Sequence, residues 1–286
     1  MKVFSDLKVF SVQNMNSLKR QNKNTVILMT ACVDPKGMGF TILQDPRIRK
    51  SQYLEAIEFY LNETKYNIVF CENTGANLFD EIKSPEKHSR LEYLTFQGND
   101  YKKSIGKSLG EAQIIKYAIQ HSKFIKEKDY IIKITGRIKV LNINEILSDN
   151  RRNTTAPNVV MTRFPVHRLI NTVCFIAPKE WMLHTVDKYA SRINEEESYT
   201  LEKVFYDSIV ASPEIKIKPC YPIISGICAS DNKSYPNYSL PQRKLDHSAV
   251  LYNVYKIRGE KWNCLKTLFN WCCYVIYRKW YVISNN

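Results

Sequence analysis

Short apolar runs of strand character alternate with helical patterns through the first half of the chain, and this alternation limits the fold more than any other feature. Val26-Ile27-Leu28-Met29-Thr30 is a continuous buried-strand run ended by Ala31-Cys32-Val33-Asp34-Pro35-Lys36-Gly37, a loop punctuated by Pro and Gly. Asp45-Pro46 opens the next element; over 51–61, Leu54, Ile57 and Leu61 share one helical face and Glu55, Glu58 and Asn62 another. Residues 67–71 and 91–96 repeat the strand pattern, closed by Glu72-Asn73-Thr74-Gly75 and by Gln97-Gly98-Asn99-Asp100. Gly106-Lys107-Ser108-Leu109-Gly110 then leads into a helix with Ala112, Ile115, Ile119 and Ser122 on its inner stripe. Tyr130-Ile131-Ile132-Lys133-Ile134 follows and runs directly into Thr135-Gly136-Arg137. Strands alternating with helices predict an α/β fold: an open, largely parallel sheet flanked by helices. Ligands of such sheets bind beyond the carboxyl ends of the strands, so the strand-end loops are where function is expected.

The second half is less regular. Strands are expected over 158–162 and 173–176, helices over 179–194 and 198–210, and a polar loop with Pro and Tyr over 229–243. No repeat and no clean linker divides the chain. The expected organisation is a polar N-terminal arm over 1–24, one catalytic-size domain over 25–255 with halves 25–140 and 141–255, and a C-terminal appendage over 256–286. The 286 residues suffice for a sizeable core, and 44% hydrophobic with 24% charged residues is an ordinary globular balance. That excludes a disordered chain, a collagen-like fibre and a disulfide miniprotein. Eight cysteines without a CxxC pattern read as free thiols of a reducing compartment. The first residues carry no apolar core of signal-peptide length, and no run of about 18 apolar residues occurs. The expected location is cytoplasmic. Lys and Arg number 42 against 28 Asp and Glu, a formal charge of +14 that calls for a polyanionic partner: nucleic acid, an anionic membrane surface or a phosphorylated substrate.

The element order resembles the nucleotide-sugar-binding half of a GT-A glycosyltransferase. The stretch GKSLGEAQIIKYAIQHS followed by DYIIKITGRIKV also looks like a group of bacterial surface-polysaccharide glycosyltransferases with a Lys-Ile-Thr-Gly-Arg strand end. The resemblance covers roughly residues 25–230. It implies a GT-A-like fold, with 25–140 as the donor-nucleotide half and 141–255 as the acceptor half. It also implies transfer of a sugar from a nucleotide-activated donor to a lipid-linked or polysaccharide acceptor in capsule or O-antigen synthesis. One departure stands out. That family holds a divalent metal on an acidic DxD motif, and no DxD occurs in this chain. The corresponding position reads Lys133-Ile134-Thr135-Gly136-Arg137, so no metal ligand and no cofactor is assigned, and weak dependence on divalent ions is expected.

Cationic side chains suit the same phosphate. Arg137 offers a bidentate, charge-assisted contact, Gly136 permits close backbone approach, and alternation puts Lys133 on the face of Thr135 and Arg137. The bland alternatives are a tight turn with a surface Arg137 and a Lys133 that snorkels to solvent. By resemblance Thr30 and the loop with Asp34 line the base and ribose; an Asp-Pro turn needs no ligand. Arg49 and Tyr53, four apart, share a helix face, with core packing the alternative for Tyr53. Glu72 and Asn73 end the second strand in what is equally a plain turn. Gly110 opens a helix whose amino end favours anions, where Glu111 reads as a dipole partner. The spacing there is not that of an NTPase phosphate loop. A catalytic base must be a carboxylate or His near the acceptor hydroxyl. The candidates are Glu195, Glu196 and Glu197 (most simply a solvated helix start), Glu202, His167 and His184. Glu202 resembles the helix-borne acid that faces the acceptor in GT-A enzymes and is the residue chosen, with Arg137, as catalytic.

Residues 256–286 are basic and aromatic. From Trp262 the pattern is helical, with Asn263, Lys266, Thr267 and Asn270 on a polar face and Leu265, Leu268, Phe269, Trp271, Cys272, Val275 and Ile276 on an apolar one. This describes an amphipathic helix lying peripherally on the anionic inner face of the cell membrane. Packing on the domain or on a second subunit is the alternative. The competing class, a basic nucleic-acid-binding or processing protein, fits the charge but finds no helix-turn-helix, zinc or RNP signature, so no nucleic-acid partner is expected. A non-catalytic membrane scaffold leaves the polar strand-end loops unexplained.

Overall fold

Strands β1 (Thr25–Ala31), β2 (Ile68–Glu72), β3 (Leu91–Thr95), β4 (Tyr130–Thr135), β6 (Asn158–Thr162), β7 (Asn171–Pro178) and β8 (Lys216–Pro219) form a seven-stranded sheet in the order β3-β2-β1-β4-β7-β6-β8. The computed structural model describes residues 24–151, 158–162, 169–219, 222–235, 245, 248, 251, 252 and 254–284. The expected arm, apart from Asn24, lies outside them, as do His167 and residues 236–243 of the polar loop. β1 pairs in parallel with β2 and β4, β2 with β3, and β6 with β8. β7 is antiparallel to both β4 and β6, so it alone runs against the other strands of this sheet. The expected fold class is therefore what the structure shows: α/β, an open and largely parallel sheet flanked by helices, with a C-terminal helix. Both 25–140 and 141–255 contribute strands to it. Two short strands, β5 (Lys139–Val140) and β9 (Ile224–Ser225), pair separately.

All seven residues of β1 are buried, because a central parallel strand is covered on both faces. Val26 and Leu28 pack with Val69, Ile131 and Phe175 under helices α2 (Lys107–His121), α4 (Lys179–Tyr189) and α5 (Leu201–Ala211). Ile27 and Met29 pack with Phe70, Ile132 and Ile176 over α1 (Pro46–Glu63) and α3 (Ile143–Arg151). Each fully buried aliphatic side chain stabilises the fold by about 1.5–3 kcal/mol. α1 begins at Pro46, before the periodic stretch from 51. Its first turn is polar and carries no apolar stripe, but Asp45 caps it by accepting from Arg47 N, and Pro46 sits where an N–H is not needed. α4 ends at Tyr189 rather than 194, giving way to a 3₁₀ turn, and α5 starts at Leu201 rather than 198 because Ser198 takes a left-handed φ of 59°.

The C-terminal helix α6 (Lys261–Ser284) is tied to the body just before it starts. Arg258 donates to the carbonyls of Ile209, Ser212 (2.8 Å) and Ile215 (3.4 Å), satisfying groups that the end of α5 leaves open. Trp262, Leu265, Leu268, Phe269, Trp271 and Ile276 are exposed, as are Asn263, Lys266 and Asn270 of the polar face. Thr267 is a correction: it is buried rather than on a solvated polar face, its hydroxyl satisfied by the Asn263 carbonyl at 2.7 Å. Among the described residues, no helix is long and apolar enough to cross a membrane.

Candidate functional site

A cavity of about 270 Å³ opens beyond the carboxyl ends of β1, β2 and β4. Alternation decides what forms its floor. Thr30, Lys133 and Thr135 have the parity of Leu28 and Ile131, so they face α2, while their neighbours face α1. Lys133 is fully buried and does not snorkel. Its ammonium pairs with Glu111 in the first turns of α2 and donates to the Thr172 carbonyl (2.6 Å) and Thr135 Oγ1 (3.3 Å). Burying an ammonium costs several kcal/mol unless it is paired and hydrogen-bonded, and here every partner is a floor element. Thr30 Oγ1 donates to Glu111 Oε1 at 2.8 Å, and Thr172 Oγ1 to Glu202 Oε1 at 2.9 Å. One polar network thus runs from β1 through α2, β4 and β7 to α5.

Loops and cations form the roof. The 36–44 loop meets the 226–235 hairpin where Ile42 N donates to Ala229 O at 2.7 Å. Lys107 stitches the two together, reaching Phe40 O (3.1 Å) and Ser230 Oγ. Arg137, only 5% exposed, donates from Nη1 to Gln52 Oε1 (2.8 Å) and Ile227 O (3.3 Å), tying the end of β4 to α1 and to the hairpin. Arg49 also borders the cavity, but its nitrogens are committed to Cys32 O, Leu43 O and Tyr53 Oη. The Tyr53 hydroxyl accepts from Cys32 N at 2.9 Å. Arg49 and Tyr53 together therefore shape the loop after β1.

The structure brings Thr30, Arg49, Asn73, Gly110, Thr135, Arg137 and Glu202 to this cavity, with Lys133 directly beneath. Three other expected site residues do not line it. Asp34 holds its own turn, accepting from Lys36 N at 3.1 Å. Glu72 is a fully buried hub: its carboxylate accepts from Val33 N, Thr74 N, Ala76 N and Thr95 Oγ1, locking the ends of β1, β2 and β3. Gly136 makes its close approach to the protein itself, donating to Thr30 O at 2.9 Å where a Cβ would lie 2.8 Å from that oxygen.

The amino end of α2 holds an anion supplied by the chain. Glu195 accepts from Ser108 N at 2.7 Å and from its hydroxyl, so it is a half-buried cap and not a solvated helix start. Burial pushes its carboxyl above the ordinary 4.5, the Ser108 bonds offsetting only part. Glu196 and Glu197 are exposed, and His184 borders a separate depression between α4 and α5. Burial also pushes the Cys32 thiol at the cavity wall up to about 11, although Arg49 opposes it, so Cys32 is a neutral thiol rather than a thiolate nucleophile.

The sequence did not assign to the site Glu111, read there as a dipole partner, nor Asn99, Tyr101, Lys107 and Thr172. Asn99 donates from Nδ2 to Asp34 O (3.1 Å) and Pro35 O (3.3 Å), and Tyr101 accepts from Gly110 N (3.0 Å) and donates to Gly106 O (3.1 Å). Glu111 and Lys107 carried a signal, a charged residue beside a glycine-bearing helix start; Thr172 carried none. Among the described residues, no group of three or more His, Cys, Asp and Glu side chains is placed to hold a metal ion.

No protein-family model and no curated protein matches the chain. Solved structures similar to it include HddC from Yersinia pseudotuberculosis, at 11% identity and a TM-score of 0.41 over 70% of this chain and 93% of that one. Another is 4-diphosphocytidyl-2C-methyl-D-erythritol synthase from Anaerococcus prevotii, at 8% identity and a TM-score of 0.41 over 84% of this chain and 98% of that one. A third is a cytidylyltransferase from Leptospira borgpetersenii, at 12% identity and a TM-score of 0.39 over 83% of this chain and 94% of that one. Likenesses this distant say nothing about what this chain does.

Proposed function

We propose that the chain is a glycosyltransferase that binds a nucleotide-activated sugar in the strand-end cavity and transfers the sugar to a hydroxyl acceptor. The observation that carries this reading is the arrangement of charge around one cavity: Arg137 and Lys107 on the roof, Glu202 and the Lys133-paired Glu111 on the floor. A sugar diphosphate has the matching arrangement, an anionic diphosphate joined to a hydroxyl-bearing ring. In transfer, the bond from the anomeric carbon to the phosphate oxygen breaks and its electron pair leaves with the nucleotide, opposed by the cations of the roof. The acceptor oxygen forms the new bond, and its proton passes to the Glu202 carboxylate, which Thr172 holds by one oxygen. Lys133 and Thr135 position the floor beneath the donor.

The tail supports a lipid-linked acceptor in capsule or O-antigen synthesis at the cytoplasmic membrane face. Lys256, Lys261 and Lys266 are exposed around the apolar residues Trp262, Leu265, Phe269 and Ile276. An apolar helix face ringed by cations suits peripheral contact with anionic lipid. The test is incubation of the full chain with a panel of nucleotide sugars and a bacterial membrane lipid extract, with mass spectrometry of the products. Lipid species heavier by one sugar residue are expected; free nucleotide without a glycosylated product contradicts the reading.

A further inference from the structure

We propose that Glu111 and Asn73 form the subsite that grips the hydroxyl groups of the donor's sugar. This names the ligand face of the site proposed above and rests on that reading. Both side chains line the cavity. The partners of Glu111, Thr30 Oγ1 and Lys133 Nζ, both lie on Oε1, while a fifth of its side chain (21%) stays exposed. A carboxylate has about four acceptor positions on two oxygens, so Oε2 retains capacity for a ligand.

Asn73 is the second, independent observation. The residue is 1% exposed, and its buried Oδ1 has no hydrogen-bond partner among the described residues. Its Nδ2 lies 3.0 Å from the point where a Cβ on Gly110 would stand, so the carboxamide rests against the helical turn that carries Glu111. Buried polar groups in folded proteins are rarely left unpaired, and an unpaired one bordering a cavity marks a place where a ligand completes the bonding. A carboxylate only accepts, whereas a carboxamide both donates and accepts. Sugar hydroxyls also do both, and match that pair; a phosphate beside Glu111 meets like charge. Lys133 acts here as a positioning residue, fixing the Glu111 carboxylate from below.

Isothermal titration of the full chain tests this, using UDP-glucose, UDP-galactose, UDP-N-acetylglucosamine, GDP-mannose and dTDP-rhamnose, each beside its nucleoside diphosphate. For the tightest sugar nucleotide, the wild type is expected to bind it more tightly than the free diphosphate. Glu111→Gln and Asn73→Ala are each expected to weaken the sugar nucleotide at least about tenfold and the diphosphate less than about twofold. If Glu111→Gln does not fold, Glu111→Asp keeps a charge for Lys133 while withdrawing the carboxylate by one methylene, and the same differential is expected. Equal losses on both ligands, no loss on either, or wild-type affinity that ignores the sugar overturns the subsite and leaves nucleotide binding standing. A wild type that binds neither class of ligand overturns the functional reading and the subsite with it.

Discussion

Gly136 sets how closely the end of β4 can lie against β1. A Cβ there would stand 2.8 Å from Thr30 O and 3.1 Å from the Tyr53 ring, and the oxygen belongs to backbone already bonded by Gly136 N. Gly136→Ala is expected to destabilise the fold by about 1–3 kcal/mol in urea titration, and an unchanged midpoint would contradict that packing. Arg137→Ala, in a variant that keeps the wild-type melting temperature, is expected to lower turnover at least about tenfold, about 1.4 kcal/mol, because a guanidinium leaves the roof. Unchanged kinetics would remove Arg137 from the site. Glu195 gives a pH test. Its folded carboxyl titrates above the ordinary 4.5, so its stability contribution is present below that value and is lost as pH rises through the raised one. Glu195→Gln is expected to flatten the stability profile just above pH 4.5; an identical slope in both proteins would count against it. Strand-end position made Thr30, Thr135 and Arg137 legible as residues that line the cavity. Glu195 was not, because its partner Ser108 lies 87 positions away, and the Glu111–Lys133 pairing was not, because it depends on how α2 settles on β4.

Among the elements, β1, β2 and β4 were legible because buried strands leave continuous apolar runs. The early start of α1 was signalled only by Asp45 and Pro46, since its first turn buries Arg49 through hydrogen bonds to carbonyls rather than through an apolar stripe. The hairpin that roofs the cavity was read only as a polar loop: nothing local says that Ala229 meets Ile42 across almost the whole domain. α6 belongs to this scale too. Its apolar residues were legible, while the burial of Thr267, nine residues past the Arg258 anchor to α5, was not. Truncation before Trp262 is expected to leave donor binding unchanged within about twofold and to abolish co-sedimentation with anionic liposomes. Attachment of the full chain is expected to weaken at high salt, where the lysines are screened. If both forms stay in the supernatant at low salt, the membrane role fails.

For the molecule as a whole, the residues of 25–140 and 141–255 share a single sheet, and the reversal at β7 brings Thr172 and, through α5, Glu202 to the same cavity as Thr30 and Arg137. That convergence was expected from the strand–helix alternation only for the first half; the second half reaches the site through β7, whose direction no local pattern encodes. The formal charge of +14 suits two kinds of partner, a nucleotide sugar at a membrane surface or a nucleic acid. The most direct discrimination is a thermal-shift titration of the full chain with the sugar-nucleotide panel and, in parallel, with single- and double-stranded oligonucleotides at physiological salt. A ligand raises the melting temperature with concentration when it binds the folded state more tightly than the unfolded one. A saturable rise with at least one sugar nucleotide, reduced in Arg137→Ala, and none with oligonucleotides is the expected result. A rise with oligonucleotides and with no sugar nucleotide would contradict the account.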